Sequence, residues 1–394
     1  MYLKIRFAAP SVTQLLNVPL CGSHMIAGWL RLEMFRVHSI LIFLAVGTEL
    51  LLSTCIAQDD TSSVDVQEYI KHEVHSGKCA SIIIGIISER GERILSYGEI
   101  QKGSNKEPDT STIYGIGSIT KLFTCSLLAN MVESGKLSLN DPISKFLPDS
   151  VKTPSFNGKE ITLYDLATHT SGLPTRPDNL APLSIDQPYA DYSVEQSYRF
   201  LSHLELSREI GTRYEYSNIG VGLLGYILAQ KSGVDYETLV HKCICEPLGL
   251  RSTGITIPVE FQSRVATPYT KDGHPVVDWK FSTIFAGSGA LKSTVHDMLI
   301  FLAANIGLLH SRLSSTFELT HLKHPENNIA LGWHIWNEFG STNFGHSGSS
   351  VGYRSFIGFN KEKKIGVVVL SNSTDAVMDI GLHVLDSRYS LRHP

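Results

Sequence analysis

The sequence predicts an α/β protein of the α+β type, in which one antiparallel sheet is built from both ends of the chain and flanked by helices. Runs rich in β-branched residues occur over residues 80–100 and again over 329–370. The residues between them carry mostly helical spacing. We therefore predict a mostly helical subdomain, inserted over roughly residues 105–270 between the two groups of strands.

The first elements are a helix and a hairpin. Helical spacing runs from Asp65 to His75 and ends at Gly77. Two β-rich runs follow, Ala80–Ser88 and Arg93–Ile100, and the charged residues 89–92 between them form the predicted hairpin turn. These two strands are the N-terminal contribution to the sheet.

Two apolar helices dominate the middle of the chain. The first begins near Ser118, keeps its apolar spacing as far as Val132 and ends at Gly135. The second covers Ile219–Ser232 and is stopped by Gly233. Both contain enough apolar residues to be buried in the core of the subdomain.

Strand patterns return in the last third of the chain, after a helix predicted over Thr294–Ile306. Apolar residues alternate from Ile329 to Ile335, which predicts a strand. The runs Arg354–Phe359 and Ile365–Leu370 flank a charged turn and predict a hairpin, and a last helix is predicted over Asp375–Asp386.

Residues 1–57 have the pattern of a targeting segment. An arginine precedes the apolar tract Ile40–Val46, a second apolar run covers Leu50–Ile56, and small residues precede Gln58, where a signal peptidase would cut. We predict removal of this segment and a periplasmic or secreted protein. An uncleaved membrane anchor is the alternative, because Ile40–Ala57 is just long enough to span a bilayer. In a third reading, translation begins at Met34 and the residues before it are a misassigned extension.

Composition excludes several classes of partner. The chain has 394 residues, of which 42% are hydrophobic and 18% charged, as in a globular protein with a large core. The formal net charge of −4 and the lack of a Lys/Arg block argue against nucleic-acid binding. Cys243-Ile244-Cys245 is too closely spaced for a zinc pair, so we predict no metal and no organic cofactor. Membrane contact is expected only through the N-terminal segment.

A serine and a lysine lie three residues apart where the first apolar helix begins. Ser118 and Lys121 share one helical face, with Cβ atoms about 5–6 Å apart. The helix terminus favours an anion on the serine and disfavours the charged form of the lysine. Lys121 can therefore serve as general base for a Ser118 nucleophile. In the alternative, Ser118 caps the helix and Lys121 is a solvated surface residue.

Two later tracts give this pair a context. Three tracts together resemble the ordered motifs of the penicillin-recognising serine hydrolases, and these tracts are Ser118–Lys121, Tyr216–Asn218 and His346–Gly348. This family includes class C β-lactamases, DD-carboxypeptidases and esterases. The resemblance covers about Ser63 to Leu385. Further tracts similar to the family are Leu139–Pro142, Leu166–Pro174, Glu246–Leu250 and Gly287–Leu291.

The resemblance implies a β-lactamase/transpeptidase-like domain over residues 58–394 and a role for each motif residue. Ser118 would be the acylated nucleophile, and Lys121 and Tyr216 would share proton transfer. Asn218 would hold the substrate amide. The backbone N–H groups of Ser118 and Ser349 would form the oxyanion hole.

The third motif departs from the β-lactamase pattern, since His346 stands where lysine is usual. An imidazole with a pKa of about 6.5 is mostly neutral at pH 7, so a fixed cation beside the site is missing. Ser347, Ser349 and Arg354 could hold a substrate carboxylate instead, next to Gly348 of the same motif. This favours peptidase or esterase chemistry over strong antibiotic hydrolysis, with activity falling below about pH 6.

Three other tracts have plainer interpretations. His169 lies in a loop similar to the family and is expected to make a structural hydrogen bond. Asn372-Ser373-Thr374 is a glycosylation sequon by pattern only. His72-Glu73-Val74-His75 is one residue short of a metalloprotease motif and is expected to be a solvated helix face.

The sequence thus predicts a serine acyl-enzyme hydrolase that acts on amide or ester bonds. D-Ala-D-Ala-type stem peptides of peptidoglycan are the foremost predicted substrates, with β-lactams and esters as further small-molecule substrates. One alternative is an esterase of the same fold. The other is a non-catalytic module that binds penicillin or peptidoglycan.

Overall fold

In a computed structural model, which describes residues 65–391, ten strands are present. They are β1 Cys79–Ser88, β2 Gly91–Gly98, β3 Ile113–Gly115, β4 Ser155–Phe156, β5 Lys159–Glu160, β6 Lys292–Thr294, β7 His334–Glu338, β8 Ser341–Ser349, β9 Arg354–Asn360 and β10 Ile365–Ser373. Six of them form one antiparallel sheet in the order β2-β1-β10-β9-β8-β7. Both ends of the described chain therefore contribute to one sheet, and the predicted fold class is confirmed. The predicted targeting segment, residues 1–57, lies outside the described residues.

Helices supply most of the structure between β2 and β7. The helices are α1 at residues 65–75, α2 Thr120–Glu133, α3 Leu163–Ala167, α4 Val194–His203, α5 Asn218–Ser232, α6 Tyr236–Val240, α7 Glu246–Leu248, α8 Ala286–Gly289, α9 Val295–Ile306, α10 Ser314–Thr320 and α11 Met378–Leu385. Short 3₁₀ turns cover Gly117–Ile119, Ile143–Phe146 and Val259–Arg264, and a π-helical turn covers His241–Cys245. The two apolar helices predicted from the sequence are α2 and α5.

Helices cover both faces of the sheet, which explains why its central strands read as continuous apolar runs. On one face Ile83 of β1 packs into the large core formed by α2, α5 and α9. On the other face Ile84 belongs to a second core with Val66 of α1 and Ile380 of α11. Gly85 allows α9 to come close, because a Cβ there would lie 2.5 Å from Val295 Cγ2.

The strand predicted over Ile329–Ile335 is wrong in its first half. β7 begins only at His334, and the preceding residues form a tight turn in which Gly332 has φ +78°. The Gly332 N–H donates to Ala167 O at 3.0 Å, so the turn is anchored on the helical subdomain. The apolar residues of this turn are buried on all sides. Alternation of apolar residues along the sequence does not distinguish such a buried turn from a strand.

Several smaller expectations have clear outcomes. The Asn372 side chain is buried in β10 and donates to Ile100 O at 3.1 Å, so the sequon is not accessible. In the near-motif, His72 and His75 are exposed as expected, with the Tyr97 hydroxyl 2.8 Å from His75 Nε2, whereas Glu73 is buried. All cysteines of the described chain are free thiols. Between residues 65 and 391 we find no helix with the length and apolar character to cross a bilayer, and no cluster of side chains suited to a metal.

Candidate active site

The nucleophile candidate lies on a short turn between a strand and a helix. Ser118 is the middle residue of the 3₁₀ turn Gly117–Ile119, which joins β3 to α2. Gly117 has φ +50°, and a Cβ at this position would lie 2.6 Å from Ser349 N. Glycine is required here both for the backbone conformation and for the approach of β8. The turn thus holds Ser118 beside the end of β8 and leaves it partly exposed.

Lys121 is fully buried in the first turn of α2, and its Nζ makes three hydrogen bonds. The partners are Ser118 Oγ at 3.0 Å, Asn218 Oδ1 at 2.8 Å and the Ser288 backbone oxygen at 2.6 Å. Burial lowers the pKa of Lys121 to about 7. The alternative of a helix cap and a solvated lysine is wrong, because Lys121 is enclosed and the N-terminus of α2 has no side-chain cap.

Tyr216 and Asn218 reach the same point from the start of α5. The Tyr216 hydroxyl donates to Ser118 Oγ at 2.6 Å. Between them, Ser217 caps α5 by accepting from Gly220 N at 2.9 Å, and its own hydroxyl donates to Pro174 O at 2.7 Å. Burial raises the pKa of Tyr216, so the phenol keeps its proton at neutral pH. On either side of this cap, Tyr216 reaches Ser118 Oγ and Asn218 reaches Lys121 Nζ.

The donors and acceptors of this group suit a neutral Lys121 amine. Asn218 Oδ1 and Ser288 O can only accept, so they take the two N–H bonds of a neutral Lys121 amine. The remaining lone pair of Nζ then faces Ser118 Oγ and can accept its proton. Ser118 Oγ in turn accepts from the Tyr216 hydroxyl. A serine whose proton points at a neutral amine is arranged for nucleophilic attack.

β8 brings the third motif onto the Ser118 turn. A Cβ at Gly348 would lie 2.0 Å from Ile116 O, so only glycine permits this contact. Ser355 of the neighbouring strand donates to the same Ile116 oxygen at 2.9 Å. The side chains of Ser347 and Ser349 are exposed, as expected for residues that alternate with buried ones along a strand.

The side chain of His346 lies on the buried face of β8 and is not exposed to solvent. Its Nδ1 donates to Ser347 O at 2.6 Å, and within residues 65–391 its Nε2 has no hydrogen-bond partner. Burial, with nearby His334 and Lys121 as smaller causes, holds the pKa of His346 well below its usual value. The ring is therefore neutral at physiological pH, and the fixed cation of the lysine-bearing motif is absent at this position.

Sequence reasoning missed two groups of this site. Ser288 contributes only its backbone oxygen and lies in Gly287–Leu291, one of the tracts similar to the family. His334 packs 4.9 Å from His346, and its pKa is lowered to about 4 by burial. A backbone carbonyl and the buried His334 ring leave no signal of residue type or spacing by which they could have been found. The structural hydrogen bond expected of His169 is confirmed, because its Nδ1 accepts from the Ser217 N–H at 3.1 Å, and its ring lies 4.7 Å from the Tyr216 ring.

Comparisons with known proteins agree with this geometry. A model of the beta-lactamase family matches residues 66–384. The D-alanyl-D-alanine-carboxypeptidase/endopeptidase AmpH of Escherichia coli strain K12 is 32% identical over 246 residues, which are 62% of each chain. The chain thus spans less than two thirds of that relative's length.

Two solved structures share the fold. The octameric penicillin-binding protein homologue from Pyrococcus abyssi is 30% identical, with a TM-score of 0.70 over 83% of this chain and 77% of that one. A class C beta lactamase from Rhodobacter sphaeroides is 24% identical, with a TM-score of 0.68 over 80% of this chain and 94% of that one. The chain belongs to the beta-lactamase family.

Proposed function

We propose that this chain is a serine acyl-enzyme hydrolase that cleaves D-Ala-D-Ala-type peptide bonds, with β-lactams and short esters as further acyl donors. The observation that carries the proposal is the position of Ser118 Oγ, 3.0 Å from Lys121 Nζ and 2.6 Å from the Tyr216 hydroxyl. The names of its relatives, among them a D-alanyl-D-alanine-carboxypeptidase/endopeptidase, support the choice of substrate.

Acylation begins when Ser118 Oγ attacks the scissile carbonyl carbon and its proton passes to the neutral Lys121 amine. A base with a pKa of about 7 is matched to this step near neutral pH. Tyr216 is a poor first base because its raised pKa keeps it protonated. Lys121 is therefore the base, and the phenol is the acid that donates to the leaving nitrogen.

The negative charge that develops on the carbonyl oxygen lies between two backbone donors. These are the N–H groups of Ser118 and Ser349, which the Gly117 and Gly348 contacts hold next to each other. A donor of this kind contributes about 10²–10³ in rate. After the amine leaves, the Lys121 ammonium returns its proton to the Tyr216 phenolate. Water then attacks the acyl carbon while its proton passes to the neutral Lys121, and that proton moves on to Ser118 Oγ as the carboxylic acid product is released.

A neutral His346 favours peptidase turnover over strong β-lactam hydrolysis. A terminal carboxylate of the substrate would then rest on the exposed Ser347 and Ser349 hydroxyls rather than on a lysine. Arg354 adds a positive charge at the same edge, and its Nη1 is engaged with the Ser350 and Tyr353 oxygens at 2.9 Å. Hydroxyls bind a carboxylate more weakly than a fixed cation does.

An esterase of the same fold is the second candidate, favoured by the lack of a lysine in the third motif. A non-catalytic binding module has less support, because Ser118 Oγ lies within hydrogen-bond distance of Lys121 Nζ and of the Tyr216 hydroxyl.

A substrate panel tests the proposal. A D-Ala-D-Ala peptide, a chromogenic cephalosporin and a short-chain nitrophenyl ester are assayed with wild type and with Ser118→Ala. We expect turnover of the peptide by the wild type only, and a transient adduct of one acyl group by intact mass. Equal rates in both proteins would remove Ser118 from the mechanism. A labelled penicillin adduct that never hydrolyses, without turnover of any substrate, would support the binding module.

The location we propose is the periplasm or the exterior of the cell, after removal of the apolar segment within residues 1–57. Mass spectrometry of the mature protein should find Gln58 at its N-terminus. Recovery of an uncleaved chain in the membrane fraction would support the anchor instead.

A further inference from the structure

His169 holds the backbone on both sides of Tyr216. The Glu215 N–H donates to the His169 backbone oxygen at 2.7 Å, and the Ser217 N–H donates to His169 Nδ1 at 3.1 Å. The imidazole ring lies 4.7 Å from the Tyr216 ring, at an interplanar angle of 36°. His169 therefore contacts the backbone N–H of the residue before Tyr216, the backbone N–H of the residue after it, and the ring itself.

We call the contacts of His169 with residues 215–217 the clamp, and α3 holds this histidine in place. His169 follows α3, which begins with a capping box formed by Thr162 and Asp165. The Thr170 N–H donates to Asp165 O at 2.9 Å, and the Thr168 and Thr170 hydroxyls hydrogen-bond each other at 2.9 Å. His169 is fully buried at the tip of this loop. Its position is set by the helix and not by Tyr216.

Two features of His169 are unusual for a buried histidine. His169 has φ +56°, a conformation that glycine and asparagine adopt more readily than histidine. Because Nδ1 accepts a hydrogen bond, the proton of the neutral ring is on Nε2, and this buried atom has no hydrogen-bond partner within residues 65–391. Burial holds the pKa of His169 well below its usual value, so the ring is neutral and Nδ1 remains an acceptor. A strained backbone and an unpaired donor both cost stability, so packing alone does not account for a histidine here.

We propose that His169 is a positioning residue for catalysis, which holds the Tyr216 phenol at hydrogen-bond distance from Ser118 Oγ. It acts through Tyr216 and contacts neither Ser118 nor the substrate. The catalytic consequence rests on the proposed function, because the phenol matters only if Ser118 is acylated. Its structural consequence, the orientation of the Tyr216 ring, does not depend on activity.

Two substitutions separate the hydrogen bond from the backbone strain. His169→Gly and His169→Asn both tolerate positive φ, but only asparagine supplies an oxygen that can replace Nδ1. We expect His169→Gly to lower the rate of Ser118 acylation by about 10²-fold, at the low end of what a proton-transfer group contributes. His169→Asn should stay within about threefold of wild type. His310→Asn, at an exposed histidine, is the matched control and should have no effect.

A double-mutant cycle tests whether the effect passes through the phenol. A Tyr216→Phe protein has no hydroxyl to position. Adding His169→Gly to it should therefore lower the rate of Ser118 acylation by less than about threefold. An equal loss in both backgrounds would overturn the proposal, and so would a His169→Asn variant as slow as His169→Gly. His169→Phe, which keeps a ring but has no acceptor, is the second acceptor-free variant should the glycine variant not fold.

A readout without turnover keeps the inference separate from the proposed function. In protein labelled with ¹³Cζ-tyrosine, the Tyr216 resonance is identified by its loss in Tyr216→Phe. We expect this resonance to shift or broaden in His169→Gly and to stay in place in His169→Asn. An unchanged resonance in His169→Gly would refute the clamp even if the enzyme were active. A shifted resonance in a protein that is never acylated at Ser118 would keep the clamp and refute the function.

Discussion

The start of α2 and the end of β8 both border the reacting atoms, but they are held there in different ways. At α2 the contact between Ser118 and Lys121 is local, because the two residues are three positions apart on one turn of the chain. At β8 the contact is with Ile116, more than two hundred residues earlier in the sequence, and it depends on a missing side chain at Gly348.

This difference predicts two kinds of sensitivity. In the proposed mechanism the hydroxyl and the amine of the α2 pair perform the reaction, so their replacement should abolish activity although their spacing is local. The oxyanion donor proposed for β8 is a backbone N–H, so it should survive changes of side chain but not displacement of the strand. A single added methyl group can displace the strand, whereas a change of an exposed side chain on it should matter little.

The largest effect is expected from loss of the hydroxyl at the start of α2. Ser118→Ala removes the nucleophile and should lower kcat/KM by about 10⁴-fold or more, with no acyl adduct in the intact mass. Ser155→Ala, at an exposed serine of β4, is the matched control and should keep wild-type activity. Retention of even a tenth of the rate in Ser118→Ala would contradict the assignment.

The second largest effect is expected from displacement of β8. Gly348→Ala places a Cβ 2.0 Å from Ile116 O and 2.2 Å from Ser355 Oγ, so β8 must move away from the Ser118 turn. We expect a loss of about 10²–10³ in kcat, as for removal of an oxyanion donor. Thermal unfolding checks that the protein still folds. Wild-type rates in a folded Gly348→Ala protein would show that the strand does not supply this donor.

The pH dependence of acylation tests the chemistry of the α2 pair. Lys121 must be neutral to act as base, and its pKa is lowered to about 7 by burial. The protonated form gains as pH falls, so the rate should decline about tenfold per unit below about pH 7. His346 is already neutral across this range, so His346→Gln should leave the midpoint unchanged. A flat profile between about pH 5 and 8 would argue against Lys121 as the base.

The smallest effect should come from the exposed side chains of β8. Ser349→Ala keeps the backbone donor and loses one hydroxyl, so KM for a D-Ala-D-Ala peptide should rise about fivefold. For a neutral nitrophenyl ester, which has no carboxylate, the same variant should match wild type. A large loss on the neutral ester would mean that the Ser349 hydroxyl takes part in the reaction itself.

Sequence reasoning succeeded where contacts are local. The spacing of Ser118 and Lys121, and the hairpin between β9 and β10, follow from residues a few positions apart. It failed at residues 329–333, where a buried turn has the same alternation as a strand. It gave no role to Ser288, whose contribution is a backbone oxygen, because any residue type carries that atom.

The sequence by itself determined the chemical groups of the site and the two glycines, Gly117 and Gly348, that permit close backbone contact. Only the tertiary structure decided that Lys121 is enclosed, that Tyr216 and Asn218 meet it, and that His346 lies beneath the strand. The physical reason is that a shift in pKa depends on burial and on neighbours distant in sequence, neither of which a pattern of residue types records.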